Sequence, residues 1–594
     1  MASHRTTDPA TPLRALGARM DNGWILLRDP ESSYRDGGED RVRQIIDASP
    51  DEVLPSTGDA MVRQAGTWAE RYHLHPARAN ALRALTLPAD ARVLEVGAGC
   101  GAVTRYLGET CAVVDALEPV PARAGAARAR TRDLPGVEVF VGSVDDVPTE
   151  PAYDVIAVVG VLEYVGGGSA DRPPYLAFLR RLRGLLRPGG TLVVAIENKL
   201  GVKYLCGAPE DHSGRPYDSI EGYPAGAPAR TFSRAELAAL LHDAGLRSRS
   251  LIAFPDYKLT RVVFDPAALP ARARSLLHRV PDFPSPDYLV QRGPGPAEAL
   301  VWQSLAQAGL AADTGNSFLV LASVADADQT AAPGQVVPSP LWPPGRAGQF
   351  FAINRSAPYA VRTEITCHDG TVTFERSLVH PDGDRRNALG LTLHPHRSDY
   401  VDGIDLLDAV TDTGDERTTS ALRRWQAMVE RACQDGPAAL DLIPRNLVQD
   451  ETGDLVVIDQ EWSSALADTQ DVLRRGVLLT AVHLWLHGRL TGHWEGCDTV
   501  ADVARSIAAV VGPDWEPGWL DRAVTAEVAL QAEVSIVPGA RDRDDAQRRA
   551  ADFFWSALQS PVPRPVSDGP TAATAMELAR SLHQAQLRIQ ALSG

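Results

Sequence analysis

The chain has 594 residues, of which 44% are hydrophobic and 23% are charged, as in ordinary globular proteins. One hydrophobic core does not comfortably support this length, so two or three domains are expected. The 59 basic and 76 acidic residues give a net charge of −17, which argues against a nonspecific nucleic-acid binder because phosphate would be repelled on average. We therefore expect no nucleic-acid partner.

The cellular compartment is predicted from what the sequence lacks. Residues 1–30 contain no long apolar segment, and no later window reaches the roughly 18 apolar residues that a membrane-spanning helix needs. The six cysteines are scattered and include no Cys-x-x-Cys pair, so neither a zinc site nor a disulfide framework is indicated. These features predict a cytoplasmic protein without a membrane span.

The beginning of the chain has little regular patterning. Residues 1–45 are polar and irregular, and we interpret them as a flexible N-terminal arm. A helical pattern begins after Asp51 and continues through Trp68 and Tyr72, directly before the first predicted strand. This helix would cover either a ligand or only the sheet, and the first globular domain is expected to begin at residue 46.

A buried strand followed by a glycine-rich turn is the main feature of residues 91–118. Arg92–Val96 is short and rich in β-branched residues, which predicts a strand covered on both faces. The strand is followed by three alternate glycines: Gly97, Gly99 and Gly101. Glycines in such a turn let the backbone bend tightly and approach a ligand. A second predicted strand, Ala112–Leu117, ends at Glu118.

The spacing of these glycines indicates which ligand the turn suits. Gly-x-Gly-x-Gly, with Glu95 two residues before it, differs from the Gly-x-Gly-x-x-Gly of dinucleotide-binding folds. It resembles motif I of the class I S-adenosylmethionine methyltransferases. The resemblance implies that Glu95 and the glycines belong to the cofactor site, that Glu118 accepts hydrogen bonds from both ribose hydroxyls, and that Tyr72 covers the cofactor. A glycine turn in some other α/β protein is the alternative.

Strands and helices continue to alternate beyond Glu118, as a doubly wound sheet requires. Three further strands are predicted, at Val137–Gly142, Tyr153–Gly160 and Thr191–Ile196. The resemblance implies a Rossmann-like, seven-stranded α/β domain over residues 46–325. It also implies that the loop with Ser143 and Val144 contacts adenine and that Glu163 lies beside the transferred methyl group. Ser143 stands where the family usually has an acid, so the adenine contact would come from the backbone or from Asp145.

The loop after the fifth predicted strand is long and rich in titratable groups, which favours a functional role. Its Glu-Asn-Lys-x-Gly-x-Lys-Tyr at 197–204 and Glu-Asp-His at 210–212 resemble methyltransferases found with bacterial surface-polysaccharide genes. The resemblance implies a small-molecule acceptor: a sugar, glycan or glycosylated metabolite. His212 is the candidate general base because imidazole titrates near neutrality, with Asp211 or Glu163 to orient it. His212 would otherwise only hydrogen-bond the fold, and no metal is expected in this domain.

Lysine is rare in this sequence and is confined to one region. The three lysines are Lys199, Lys203 and Lys258, and all other basic residues are arginine. Arginine does not replace lysine where a compact point charge is needed. The clustering of the lysines either marks a site or is a coincidence.

A linker at residues 326–347 is expected to lead to a second domain over residues 348–560. Its sharpest motif is Asp441-x-x-Pro-x-Asn446 followed by Asp459, which resembles the catalytic loop and the metal-binding aspartate of kinases. The histidine and the Phe-Gly usual in those motifs are missing, and no lysine follows Lys258. Arg376 is the nearest substitute for the phosphate-clamping lysine, so we expect a degenerate kinase-like α+β domain.

Two other functions are consistent with the sequence. An active kinase, using ATP with magnesium, would make a bifunctional enzyme that phosphorylates an acceptor and methylates it. A non-catalytic binding scaffold is the second alternative, and the intact glycine turn with Glu118 speaks against it.

Residues 561–594 are predicted to form a proline-rich linker and a C-terminal helix. The apolar positions of this helix follow a 4-3-4-3 spacing: Leu578, Leu582, Ala585, Ile589 and Leu592. The helix would either dock on its own chain or join two copies as a homo-oligomer.

Overall fold

The structure is a computed structural model that describes residues 13, 16–20, 23–29 and 36–562, except for 289, 294, 325–337, 353, 382, 412–413, 435, 491–493, 495, 538 and 541. The predicted C-terminal helix and most of the predicted linker lie outside these residues. Among the helices that are described, none is long and apolar enough to cross a membrane.

The chain divides into two compact units. The first contains Met1–Leu205, Glu210–Ala267 and Leu310–Gln349, and the second contains Cys206–Pro209, Ala268–Gly309 and Phe350–Gly594. Residues 268–309 are expected from the sequence in the first domain, whereas the structure places them in the second unit. The reason is local packing, because Arg279 forms an ion pair with Asp405 at 3.1 Å.

The first unit is built on one twisted sheet. Its strands are β1 (Ala18–Arg19), β2 (Ile25–Leu26), β3 (Arg92–Val96), β4 (Val113–Leu117), β5 (Val137–Val141), β6 (Tyr153–Val159), β7 (Leu186–Glu197), β8 (Leu246–Phe254), β9 (Val262–Phe264), β10 (Ser317–Val324) and β11 (Arg346–Phe351). The last two residues of β11 belong to the second unit. Its α-helices are Glu39–Ala48, Trp68–Leu74, Asn80–Arg83, Ala102–Thr110, Pro121–Arg130, Arg172–Leu185, Val202–Leu205, Arg234–Asp243 and Ala311–Thr314.

The strand order confirms the Rossmann-like fold that the sequence predicts. Seven strands follow one another in the order β5-β4-β3-β6-β7-β10-β8, and further strands extend both edges. Strands β3 to β7 are parallel, whereas β10 runs antiparallel to both β7 and β8. The order reverses at β3, with β4 on one side and β6 on the other, so the ligand crevice is expected at the carboxyl ends of these strands.

The predicted flexible arm over residues 1–45 is wrong for the part of it that the structure describes. Ile25 and Leu26 add a parallel strand beside β5. The helix Glu39–Ala48 buries Val42, Ile45 and Ile46, which lie three and four positions apart on one face. The helix was missed because its apolar stripe has only three residues in ten, and a helix this short owes most of its stability to tertiary packing.

The second unit mixes α-helices with short antiparallel strands. Its strands are β12 (Val361–His368), β13 (Thr371–Leu378), β14 (Leu391–Leu393), β15 (Arg397–Asp399), β16 (Ile404–Asp405), β17 (Ala438–Ala439), β18 (Leu447–Gln449), β19 (Leu455–Val457) and β20 (Trp462–Ser464). They pair in the orders β12-β13-β15, β14-β20-β17 and β16-β18-β19. Its α-helices are Leu276–Arg279, Glu298–Gln307, Leu406–Ala409, Glu416–Ala432, Thr469–Leu486, Val500–Val511, Trp519–Val534 and Arg543–Leu558. The longest helices pack around a core that includes Trp425, Leu473 and Ile507.

A buried ionic network holds the segment 285–298 of the second unit. Arg292 Nε lies 2.9 and 3.0 Å from the two carboxylate oxygens of Asp287, and Arg292 NH1 lies 2.6 Å from Glu298 Oε2. Its NH2 group donates to the backbone oxygen of Ser285 at 2.6 Å. Because one guanidinium neutralises two buried carboxylates, its removal would leave both without this buried counter-charge.

We predict that Arg292→Ala lowers the free energy of unfolding of this unit by about 3 to 5 kcal/mol, the usual cost of breaking a buried ion pair. Urea denaturation followed by tryptophan fluorescence would measure it, because Trp302 is buried in the adjacent helix. Arg386→Ala is the matched control, since Arg386 is highly exposed in its pair with Asp384 and its loss should leave the midpoint unchanged. Equal effects of the two variants would contradict the prediction.

Candidate functional site

The glycine turn after β3 adopts a conformation that favours glycine. The φ angles of Gly97, Gly99 and Gly101 are +81°, +54° and +81°, in the left-handed region. A Cβ atom on Gly97 would lie 2.4 Å from Val161, and one on Gly101 would lie 2.6 Å from the backbone of Ala127. The first and third glycines are therefore required for close packing of the turn.

Gly99 differs from the other two glycines because its surroundings leave room for a ligand. A Cβ atom on Gly99 would meet nothing nearer than the His73 ring at 3.9 Å. The Gly99 backbone N–H donates to Glu118 Oε2 at 2.8 Å, and the Val120 N–H donates to Glu118 Oε1 at 3.0 Å. The structure thus brings together the glycine turn and the acid after β4. Each Glu118 oxygen keeps a second lone pair, so this carboxyl fits the predicted role of binding ribose hydroxyls.

Glu95 is a buried carboxyl near the end of β3. Burial raises the pKa of Glu95 to about 8, and the neighbouring Glu118 adds to this effect. Glu95 Oε2 has no hydrogen-bond partner within the described structure. Burial also raises the pKa of Glu118. A buried polar atom without a partner calls for an explanation, and a bound cofactor would provide one.

The other predicted cofactor residues lie on a helix before β3 and on the turn after β5. Tyr72 is on the helix Trp68–Leu74, where its hydroxyl accepts a hydrogen bond from Arg78 at 2.9 Å. Ser143 begins the 3₁₀ turn after β5, and its N–H donates to Asp146 at 2.8 Å. Val144 is buried beside it. Ser143 and Asp146 form a capping box, so Asp146 stabilises the turn.

A second group of buried residues lies at the carboxyl ends of β6 and β7. Glu163 belongs to the 3₁₀ turn Leu162–Tyr164 after β6, and Glu197 is the last residue of β7. Both side chains are fully buried, and His212 Nε2 is 3.9 Å from Glu163 Oε1. Ligand atoms of Glu163, Glu197 and His212 all lie within 4.8 Å of one another. We call these three residues the acceptor-side cluster.

The cluster is joined to the glycine turn by close packing. Val161, which a Cβ on Gly97 would touch, stands two residues before Glu163. Gly160 packs against the ring of Tyr257, whose hydroxyl lies 3.3 Å from Glu163 Oε1. Burial and the charge of Glu197 raise the pKa of Glu163 to about 7. The acceptor-side cluster therefore adjoins the predicted cofactor site.

The structure corrects the predicted partner of His212. Its Nδ1 lies 2.8 Å from Glu210 Oε1, and Glu210 Oε2 accepts from the His212 and Ser213 N–H groups at 2.7 Å each. Glu210 therefore orients the imidazole in place of Asp211, whose side chain pairs with lysines. Burial alone would lower the pKa of His212, but the hydrogen bond to Glu210 and the charge of Glu197 raise it to about 9. This shift favours the protonated imidazole, and a protonated His212 must lose its proton before acting as a base.

Two of the three lysines converge on Asp211. Lys203 Nζ and Lys258 Nζ donate to Asp211 Oδ2 at 2.7 and 2.6 Å, and Lys258 also contacts Glu197. Although burial opposes it, these two cations hold the pKa of Asp211 well below its usual range. Lys199 lies apart, paired with Glu236 at 3.1 Å. The clustering of Lys203 and Lys258 thus reflects a shared site.

Four residues of this site were not among the predicted site residues: Glu197, Glu210, Tyr257 and Lys258. Glu197 could have been found, because it directly follows a predicted strand at the edge where ligands bind. Glu210 stands beside two predicted residues in the same motif. Lys258 was marked in the sequence by the rarity of lysine, whereas no spacing rule connects Tyr257 to His212.

The candidate residues of the second unit also form contacts with one another. Asp441 Oδ2 accepts from the backbone N–H groups of Glu461 and Trp462 at 3.0 Å each, and Asn446 donates to the Asp441 backbone oxygen at 3.0 Å. Burial raises the pKa of Asp441 to about 7. Arg376 Nε lies 3.2 Å from Asp459 Oδ1. The arginine is therefore paired with the residue predicted to bind metal.

Comparison with known proteins gives several similarities, and the family match falls within the first unit. Residues 94–192 match a family model described as a methyltransferase domain. A ubiquinone biosynthesis O-methyltransferase of Xanthomonas axonopodis pv. citri is 30% identical over 187 residues, covering 29% of this chain and 70% of that protein. Its counterpart in Xanthomonas campestris pv. campestris (strain 8004) is 31% identical over 129 residues, covering 21% of this chain and 51% of that protein.

A solved structure is also similar. Burkholderia thailandensis 1,6-didemethyltoxoflavin-N1-methyltransferase, with bound 1,6-didemethyltoxoflavin and S-adenosylhomocysteine, is 19% identical, with a TM-score of 0.25. The match covers 43% of this chain and 81% of that one.

We predict that Glu118→Ala weakens S-adenosylmethionine binding by about 2 to 4 kcal/mol, because two hydroxyl hydrogen bonds to a carboxylate are lost. This corresponds to a rise in Kd of roughly 30- to 1,000-fold in calorimetric titration. Gly99→Arg should block binding by filling the space beside the turn. Glu150→Ala, at an exposed position of the same unit, is the control and should bind as wild type. Unchanged affinity in Glu118→Ala would remove Glu118 from the cofactor site.

Proposed function

Because the chain belongs to the S-adenosylmethionine-dependent methyltransferases, we propose that it methylates a hydroxyl group of a small-molecule acceptor: a sugar, glycan or glycosylated metabolite. The observation that carries the proposal is the acceptor-side cluster beside the glycine turn. Glu163, Glu197 and His212 offer buried polar atoms where a hydroxyl has to be oriented and deprotonated. The similar Xanthomonas proteins are named O-methyltransferases, which supports oxygen as the accepting atom.

The chain's own residues have separate tasks in this proposal. When bound, S-adenosylmethionine supplies a methyl group that its positive sulfur already activates. Gly99 and Glu118 would hold it, while Glu163 and Glu197 orient the acceptor hydroxyl. Correct orientation alone supplies roughly 7 to 11 kcal/mol of barrier lowering in favourable systems. His212, oriented by Glu210, would accept the hydroxyl proton once it has released its own.

An exposed aromatic ring beside the cluster supports a ring-shaped acceptor. Tyr164 is 46% exposed, and its ring meets that of His212 edge to face, with centroids 5.3 Å apart at 81°. Ligand pockets commonly combine aromatic walls with a few polar groups that fix orientation. A sugar offers both an apolar ring face and hydroxyls, so it suits Tyr164 and the cluster together.

We predict that His212→Ala lowers turnover by about 10² to 10⁴, as expected for loss of a general base, with S-adenosylmethionine affinity nearly unchanged. The assay would follow formation of S-adenosylhomocysteine with a panel of sugars and glycosylated metabolites. His242→Ala is the control, because the side chain of that histidine is 84% exposed and pairs with Asp243, outside the acceptor-side cluster. A loss smaller than about threefold, well under the range for a general base, would demote His212 to a structural role.

For the second unit, we propose a kinase-like module that does not transfer phosphoryl groups. Productive transfer needs a base, metal ligands and a cation that holds the nucleotide phosphates. Asp441 Oδ2 is occupied by two backbone N–H groups, and Arg376 is paired with Asp459. The alternative of a bifunctional kinase and methyltransferase would require both arrangements to change.

We predict that methyl transfer proceeds without ATP and magnesium, and that Asp441→Asn leaves its rate unchanged. Mass spectrometry of the acceptor after incubation with and without ATP would measure both methyl and phosphate gain. Asp441→Asn serves as the comparison with the wild type. A phosphorylated product that disappears in this variant would establish the bifunctional alternative and make Arg376 the first residue to test as phosphate clamp.

A scaffold without catalysis is the remaining alternative for the whole chain. It would require S-adenosylmethionine to be bound without turnover on any acceptor. The buried Oε2 atoms of Glu163 and Glu197 speak against it, because buried oxygens without a hydrogen-bond partner in the described structure are costly unless a ligand uses them. Calorimetric binding without product in every acceptor assay would favour the scaffold.

A further inference from the structure

The acceptor-side cluster has the donor set of a metal site. One imidazole nitrogen and two carboxylates present atoms within 4.8 Å of one another. Bonds from a divalent ion to such atoms are about 2.0 to 2.2 Å long, so ligands of one ion lie up to about 4 Å apart. Small side-chain rotations would therefore bring all three atoms onto one ion.

Each of the two carboxylates has one oxygen without a hydrogen-bond partner among the described residues. Glu163 Oε2 and Glu197 Oε2 are both buried, and neither has a hydrogen-bond partner among the residues that the structure describes. A buried oxygen without a hydrogen-bond partner is costly, and more so when it is charged. Two such oxygens in one cluster with an imidazole point to a ligand that binds all three.

The neighbours of the cluster resemble the outer shell of a metal centre. Glu210 holds His212 Nδ1 at 2.8 Å, which leaves Nε2 facing Glu163. A carboxylate on the far nitrogen of a ligating histidine is a recurring feature of metal sites, because it fixes the tautomer and the ring orientation. The ligating carboxylates are usually hydrogen-bonded too, and here Tyr257 and Lys258 contact Glu163 and Glu197.

The charge balance favours a cation as well. The groups joined by these ion pairs and hydrogen bonds include four carboxylates: Glu163, Glu197, Glu210 and Asp211. Within this described group, two lysines, Lys203 and Lys258, oppose them. Metal ligation requires a neutral imidazole and ionised carboxylates, and in that protonation state a divalent cation would cancel the remaining two negative charges in this buried place.

We propose that Glu163, Glu197 and His212 bind a divalent first-row transition cation, such as Mn²⁺ or Zn²⁺. The imidazole favours these ions over Mg²⁺ and Ca²⁺, which prefer oxygen ligands alone. The sequence predicts no metal here, because the three ligands come from separate parts of the chain and form no recognisable spacing.

The role of this cation rests on the proposed function, although its binding does not. Three protein ligands leave coordination positions open for an acceptor hydroxyl. A bound cation polarises that oxygen and makes its proton easier to lose. With the cation bound, His212 Nε2 is a ligand and cannot be the general base, so the hydroxyl proton leaves to water; His212 takes that proton only in the metal-free site.

Metal binding can be tested without any acceptor. The full chain, stripped with a chelator, would be titrated with MnCl₂ while electron paramagnetic resonance measures the remaining aqueous Mn²⁺. We expect one bound ion per chain, with nitrogen coupling from one histidine in the spin-echo spectrum. Glu163→Gln, Glu197→Gln and His212→Gln should each weaken binding at least 100-fold, and Glu210→Gln should weaken it 10- to 100-fold, roughly the usual effect of removing an outer-shell partner.

The controls separate this inference from the proposed function. Glu236→Gln, which alters a carboxylate paired with Lys199 outside the cluster, should bind Mn²⁺ as wild type. Calorimetric affinity for S-adenosylmethionine should be unchanged in every variant, which also reports correct folding. A wild-type chain that binds the cofactor but neither Mn²⁺ nor Zn²⁺ would overturn the metal site alone. Bound Mn²⁺ without histidine coupling, or unweakened binding in the cluster variants, would also overturn it.

Discussion

The first unit depends on keeping four carboxyl groups buried at one edge of its sheet. Glu95 lies near the end of β3, Glu197 ends β7, Glu118 directly follows β4, and Glu163 stands in the turn after β6. Such groups are expensive to remove from water, so each must be neutralised, hydrogen-bonded or bound to a ligand. Backbone N–H groups stabilise Glu118, and Lys258 pairs with Glu197. The oxygens left without such partners in the described part of the chain define where ligands are required.

This constraint explains why the loop after β7 folds back over the sheet. Its Asp211 pairs with Lys258, which also pairs with Glu197, and its His212 lies beside Glu163. Lys203 comes from the helix at its start, while Glu210 and His212 lie shortly after it. Lysine suits this task better than arginine because a compact ammonium fits between two carboxylates. The rarity of lysine elsewhere makes its presence at Lys203 and Lys258 informative.

Local sequence patterns predicted the sheet well and the site only in part. Short apolar strands and alternate glycines are set by neighbouring residues, so β3 to β7 could be read directly from the chain. The short helix Glu39–Ala48 was missed, because its stabilising contacts are tertiary. Asp211 was predicted to orient His212 because the two residues are adjacent in the sequence. In the structure its side chain accepts hydrogen bonds from Lys203 and Lys258. Contacts between sequence-distant groups, such as Tyr257 with Glu163, carry no local signal.

Lys258 has a further consequence because it belongs to two networks at once. Its backbone oxygen accepts from Arg78, which in turn bonds the Tyr72 hydroxyl on the cover helix. Its ammonium group binds Glu197 and Asp211 on the acceptor side. Lys258 therefore joins the helix Trp68–Leu74, through Arg78 and Tyr72, to Glu197 of the acceptor-side cluster. Linkage requires any effect that a ligand on one side has on affinity at the other side to be matched by an equal effect in reverse.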